Sequence, residues 1–268
     1  MYKNYLNSLY KWKESEIFNK LVENPNERQT QLRALNTSLG ELALKILSQG
    51  KNRSRIMQNF ILEEIGEAQL NLAKPLGLLN LVDQDKETEE PCYAFYHPTF
   101  LEYFAATAIE TWDYFLPREH EQAQMPILDE SGNFKPYRIF EQRWQEVIVF
   151  WLGQTEEKIT NNQKDEFLKA LVKFQDGCGN FYWYRAFFLL AIVISEYKEL
   201  AKEELNYFVN FIVELSFGDF NQKRQHWSSY FNHIEESARA SLLETPRAVT
   251  IDALLYLLAN PNLMQFSL

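Results

Sequence analysis

One stretch constrains the fold more than any other: Ala94-Phe95-Tyr96-His97-Pro98-Thr99-Phe100-Leu101-Glu102-Tyr103-Phe104-Ala105-Ala106. It reads as a strand, a sharp bend carrying one histidine, and an apolar helix. Pro98 has no N–H and restricts His97 to extended backbone. Thr99-Phe100-Leu101-Glu102 fits the capping box, in which a hydroxyl and a carboxylate three residues on satisfy free backbone N–H groups. Such a cap contributes on the order of 1 kcal/mol. The expected helix runs from Thr99 to about Tyr114, with Leu101, Phe104, Ala105, Ala108 and Trp112 as its buried stripe. The bend is then pinned on both sides, and His97 points in a defined direction from the positive end of a helix. That position suits contact with an anionic group such as a phosphate. A capping or core histidine bonded to backbone is the other reading these residues leave open.

Apolar residues elsewhere recur at helical spacing, and strand-like alternation is rare. Helices are expected over residues 2–22 and 27–48, the second closed by Gly50. Ser54 can cap a short helix to Leu62, Gly66 breaks it, and another short helix covers 67–77. Leu78–Val82 and Cys92–Tyr96 then flank a charged run, Asp83 to Glu90, as two strands around a loop. Helices followed by such a hairpin are the element order of a winged helix. Pro117, Pro126, Gly132 and Pro136 mark a linker over 117–137. Further helices are expected at 138–153, 164–175, 182–198 and 202–217. Thr245-Pro246 supplies a cap and first-turn proline for a last helix to Leu258. The expected class is mainly α: a winged-helix-type domain over 1–116, a linker over 117–137, and an α-helical array similar to HEAT repeats over 138–268.

The chain has 268 residues, a formal net charge of -10, 46% hydrophobic and 15% aromatic residues. The aromatic load argues against disorder. The acidic balance repels nucleic acid as a whole. Cys92 and Cys178 are too few for a disulfide framework and read as reduced thiols of a cytoplasmic protein. The most apolar run, Phe187 to Ser195, is too short to span a bilayer. No secretory leader pattern opens the sequence.

The segment around His97 resembles the signature F-x-H-x-[ST]-F-x-E-[FY]-x-A-A of the winged-helix region in NACHT-type signalling NTPases of the STAND class. Tyr10-Lys11-Trp12-Lys13, Leu39-Gly40-Glu41-Leu42-Ala43, Leu76-Gly77-Leu78-Leu79-Asn80, Arg143-Trp144-Gln145-Glu146-Val147 and Gly179-Asn180-Phe181-Tyr182-Trp183-Tyr184-Arg185-Ala186 are similar to segments of cyanobacterial-type NACHT proteins. The likeness covers about residues 2–215. It implies a non-catalytic regulatory and sensor part of a protein acting in signalling or defence. It implies that His97 reaches the β-phosphate of ADP and holds the inactive form, and that the helical array receives a protein partner. The phosphate loop G-x-x-x-x-G-K-[ST] is absent; the nearest fragment, Gly50-Lys51, is followed by Asn52. ADP or ATP is therefore implied only with a NACHT module in cis or in trans.

Other constellations carry plainer readings. Cys92 and His97 alone are not a zinc site. Cys178 has no histidine near it in sequence, and Glu89-Glu90, Glu235-Glu236, His226 and His233 read as solvated or partly packed side chains. No catalytic set converges, so the chain is not expected to be an enzyme itself. A stand-alone α-helical protein-binding scaffold is the alternative. A nucleic-acid reader using 54–77 ranks below it, because Arg53, Arg55 and Lys74 stand against Glu63, Glu64 and Glu67.

Overall fold

The computed structural model describes residues 25–121, 132, 136–175, 181–194, 202–221, 226–228 and 230–259. The helix expected over 2–22, most of the linker and Cys178 lie outside these residues. The described chain is mainly helical with a small three-stranded antiparallel sheet. Contacts divide it into two units, residues 1–110 with 146–154, and residues 111–145 with 155–268.

In the first unit, α1 (Pro25–Ser48) carries Leu35, Leu39, Leu42, Ala43, Ile46 and Leu47 on its buried side. It ends as expected at Gly50, φ 63°, where the Gly50 and Lys51 N–H groups bond back to the carbonyls of Leu47 and Ile46. A two-residue strand, β1 (Ile56–Met57), follows and was not expected from the sequence. The helix expected from Ser54 starts later, as α2 (Gln58–Ala73), with Met57 before it making no side-chain cap. Ser54 instead bonds to Asn52. Gly66 breaks α2 at φ 76°, a left-handed conformation open to glycine at little cost.

The hairpin is β2 (Leu79–Gln84) and β3 (Pro91–Phe95), shifted one or two residues from its expected edges. In the sheet order β1-β3-β2, Ile56 pairs with Tyr93 and Leu79 with Phe95. The Asp85 carboxylate accepts the N–H groups of Glu87 and Thr88 and the Thr88 hydroxyl, which closes the loop between the strands. These bonds hold the Asp85 carboxyl below its ordinary range.

Helix α3 (Pro98–Thr107) is shorter than the sequence suggested. The chain leaves it at Ala108, and Trp112–Tyr114 form a separate 3-10 turn rather than its continuation. Within the same unit, α3 packs most extensively on α1, and α1 also packs on α2. A Cβ on Gly40 of α1 would lie 3.1 Å from the Phe104 carbonyl oxygen, 3.2 Å from Ala108 Cβ and 3.3 Å from Thr107 Oγ1. The lack of a side chain there sets how closely the two helices approach. Residues 146–154, read from the sequence as part of the helical array, group by contact with 1–110. They hold most of α4 (Gln145–Leu152), whose Trp151 indole N–H donates to the Ile109 carbonyl at 3.1 Å. The Gln154 amide donates to the Ala106 carbonyl at 2.7 Å.

The second unit begins with the 3-10 turns Trp112–Tyr114 and Arg118–Glu121, and two more, Arg138–Phe140 and Gln142–Trp144, stand where the start of a longer helix was expected. It continues with α5 (Asn161–Val172), α6 (Phe181–Val193), α7 (Lys202–Phe217), a hairpin of β4 (Asp219–Asn221) and β5 (His226–Ser228), α8 (Asn232–Leu242) and α9 (Arg247–Ala259). Thr160 and Gln163 form a reciprocal capping box at the start of α5. Helices α8 and α9 both pack on α7. Val209 and Val213 of α7 with Ala253 and Leu257 of α9 form the buried centre of the α7–α9 contact. Helix α6 meets α7 through rings, with Phe187 and Phe211 centroids 5.0 Å apart.

The close approach at Gly40 makes a sharp prediction. Alanine gains about 1 kcal/mol in helix propensity, but crowding a packed contact costs about 1–3 kcal/mol. Gly40→Ala should lower the urea-unfolding stability by about 1 kcal/mol, and Gly40→Leu by about 3 kcal/mol. A Gly40→Ala chain more stable than the parent would show that the two helices part freely.

Candidate functional site

The site begins at the edge of β3. The Tyr96 N–H donates to the Leu78 carbonyl at 3.2 Å, the last rung beside the hairpin. His97 follows at φ -138°, ψ 143°, extended as the proline after it requires. Pro98 then occupies the first helical position, where a missing N–H costs nothing. His97 is therefore the N-cap of α3. The cap expected from Thr99 and Glu102 does not form, because Thr99 already lies inside the helix.

The His97 ring does the capping. Its Nδ1 accepts the Thr99 backbone N–H at 3.3 Å and lies 2.5 Å from Thr99 Oγ1. The side chain is otherwise exposed, beside Tyr96, which is 62% exposed. Behind the bend the helix is buried: Phe100, Leu101, Phe104, Ala105 and Ala106 all face inward. Phe95, Phe100 and Phe104 form a run of ring contacts at 5.9 and 6.4 Å. The imidazole thus stands on a rigid base with one nitrogen committed to the backbone.

Glu102, freed from the capping role, turns inward. Its residue is only 7% exposed, and its Oε1 accepts the Arg53 guanidinium at 2.8 Å. Burial pushes the Glu102 carboxyl above its ordinary range, and Glu146 adds to this; Arg53 and, more weakly, His97 oppose it. Desolvation outweighs the ion pair here, as it does for many buried charges. Arg53 sits in the loop between α1 and β1, 49 residues from Glu102. In the sequence Arg53 stands only as a charge beside a candidate nucleic-acid-reading segment, and no local spacing pairs it with Glu102. Arg55 lies 3.3 Å from Asp83 and 3.9 Å from Asp85, and Lys74 stands over the Tyr93 ring at 5.5 Å. All three basic residues of that stretch have partners within the unit.

Cys92 is a buried free thiol 3.5 Å from Met57 Sδ. Among the described residues no group of three or more His, Cys, Asp or Glu side chains could hold a metal ion. None of the described helices is long and apolar enough to cross a membrane. His233 stacks on the exposed Phe231 ring, and Glu235 pairs with Arg239.

Comparison of the chain with protein-family models, with curated proteins and with solved structures gave no match in any of the three.

The raised Glu102 carboxyl gives a pH signature. A group whose folded pKa lies above its unfolded value stabilises fully below the unfolded pKa and loses that contribution as pH rises through the folded one. The stability of the parent chain relative to Glu102→Gln should therefore fall between about pH 4 and pH 7. Urea midpoints for both chains at the two pH values measure this. A gap that widens in favour of the parent with rising pH would mean that Arg53, not burial, governs Glu102.

Proposed function

We propose that this chain is the regulatory and sensor part of a NACHT-type signalling NTPase, with His97 as its contact to the bound nucleotide. The observation that carries the reading is the exposed His97 ring, anchored at the first turn of α3 directly after the hairpin. The order of elements supports it: a helix, a short strand, a helix broken at Gly66, and a hairpin whose second strand also pairs with the short one. That is the order of a winged helix, and the first unit is read as one. The helix pairs of the second unit are read as a HEAT-like array for a protein partner.

In this account the NTPase module, in cis or in trans, supplies the phosphate loop and holds ADP. The winged helix closes over it, and His97 donates a hydrogen bond to a phosphate oxygen at the positive end of α3. Activation breaks that contact and swings the winged helix away, a hinge-type switch. The chain itself does no chemistry. Its role is to make the ADP-bound state the resting state.

A second reading, a protein-binding scaffold with no nucleotide role, is favoured by one feature. Helix α9 is apolar on nearly every side, and Ile251, Leu255 and Leu258 are 44%, 56% and 55% exposed while its opposite side packs on α7.

The two readings separate at His97. In the assembly of this chain with its NTPase module, His97→Ala should speed ADP dissociation about tenfold or more, the worth of one hydrogen bond to a charged group, about 1.5–3 kcal/mol. ADP dissociation equal to that of the parent would remove the nucleotide role and leave the scaffold.

A further inference from the structure

Resting on the reading of His97 as the nucleotide contact, we propose that Thr99 is a positioning residue that fixes the His97 imidazole in its Nε2–H tautomer. The neutral ring then presents a hydrogen-bond donor to an acceptor oxygen of the phosphate type. A backbone N–H can only donate. The Thr99 N–H reaches His97 Nδ1 at 3.3 Å, a long bond that by itself only favours a lone pair at Nδ1 in the neutral ring. The Thr99 hydroxyl lies 2.5 Å from the same nitrogen; with the lone pair at Nδ1 it acts as the closer donor and holds that tautomer in place. The proton of the neutral ring is thereby assigned to Nε2, the nitrogen that faces away from the helix start. The tautomer of a histidine is set by the bond its other nitrogen makes.

The arrangement has a consequence for ligand class. When the ring takes a second proton, Nδ1 must turn from acceptor to donor and meets the Thr99 N–H head on, with only the Thr99 hydroxyl oxygen left to accept. Nε2–H remains a donor in both charge states. His97 therefore needs no positive charge to contact a phosphate oxygen. It offers nothing at Nε2 to a ligand that can only donate. Thr99 is inside α3 and does not touch the ligand; it acts through the ring.

Long-range proton–nitrogen spectra of the chain labelled with nitrogen-15 histidine test this without nucleotide or NTPase module. The His97 signals are those lost in His97→Gln. At a pH where the ring is neutral, a pyridine-like Nδ1 and a pyrrole-like Nε2 are expected. Thr99→Val, which keeps the backbone N–H but removes the hydroxyl, should move the two nitrogen shifts toward each other, and Thr99→Ser should restore them. A pyrrole-like Nδ1 in the parent chain, or Thr99→Val spectra identical to the parent, would overturn the proposal. The nucleotide reading fails separately. An Nε2–H ring together with unchanged ADP dissociation in His97→Ala supports the role of Thr99 and removes the phosphate. A pyrrole-like Nδ1 with faster ADP loss removes the role of Thr99 alone.

Discussion

The packing of α3 on α1 is the constraint on which the candidate site depends. Gly40 removes the one side chain that would hold the helices apart, and the Phe104 carbonyl comes to rest against the bare α1 backbone. Everything that positions His97 follows from that docking. Phe100, Phe104 and Ala105 are buried behind the bend, which fixes the axis of α3. The docking carries Glu102 into a nearly solvent-free position, where Arg53 from the preceding loop must meet it. The first turn is then held by an apolar side and an ion pair together. His97 at the cap has little freedom left except rotation of its ring, and the Thr99 bonds restrict that as well.

How much of this was legible in the sequence depends on the range of the interaction. The periodicity of Leu35, Leu39, Leu42 and Ile46 specified α1, and the Gly50 stop was readable because a left-handed C-cap is a local requirement. The hairpin was readable from two apolar runs around a charged loop. The segment Lys202–Phe217 emerged with its expected bounds. Strand β1 was invisible because two residues carry no period; it exists only because β3 offers an edge. At α3 two local signals competed. Thr99-x-x-Glu102 suggested a capping box, while Pro98 favoured the first helical position. Proline won, since its ring fixes the backbone dihedral before any side chain can choose. Glu102 then followed a tertiary partner 49 residues away, which no local rule encodes.

The exposed candidate residue is easier to single out in the sequence than its supports. His97 stood out because a histidine between a strand and a proline has few conformations. Arg53 did not stand out, since an arginine in a short polar loop looks solvated until the fold places a buried carboxylate beside it. The same holds in the second unit. Arg138 donates to the Tyr114 carbonyl and lies 3.9 Å from the Tyr114 ring centroid, and burial lowers its pKa. Aromatic composition argues against disorder but does not say which cation the rings would meet. The reciprocal Thr160–Gln163 cap was present as a local pattern and marks the start of α5 three residues before the expected one.

The functional account comes down to where one ring nitrogen points when the nucleotide module is present. The direct measurement is a structure of that assembly with ADP bound, read at the distance from His97 Nε2 to the nearest phosphate oxygen. The account predicts about 2.7–3.2 Å, the span of a hydrogen bond. An ADP-bound assembly in which His97 Nε2 meets only solvent or protein would contradict it.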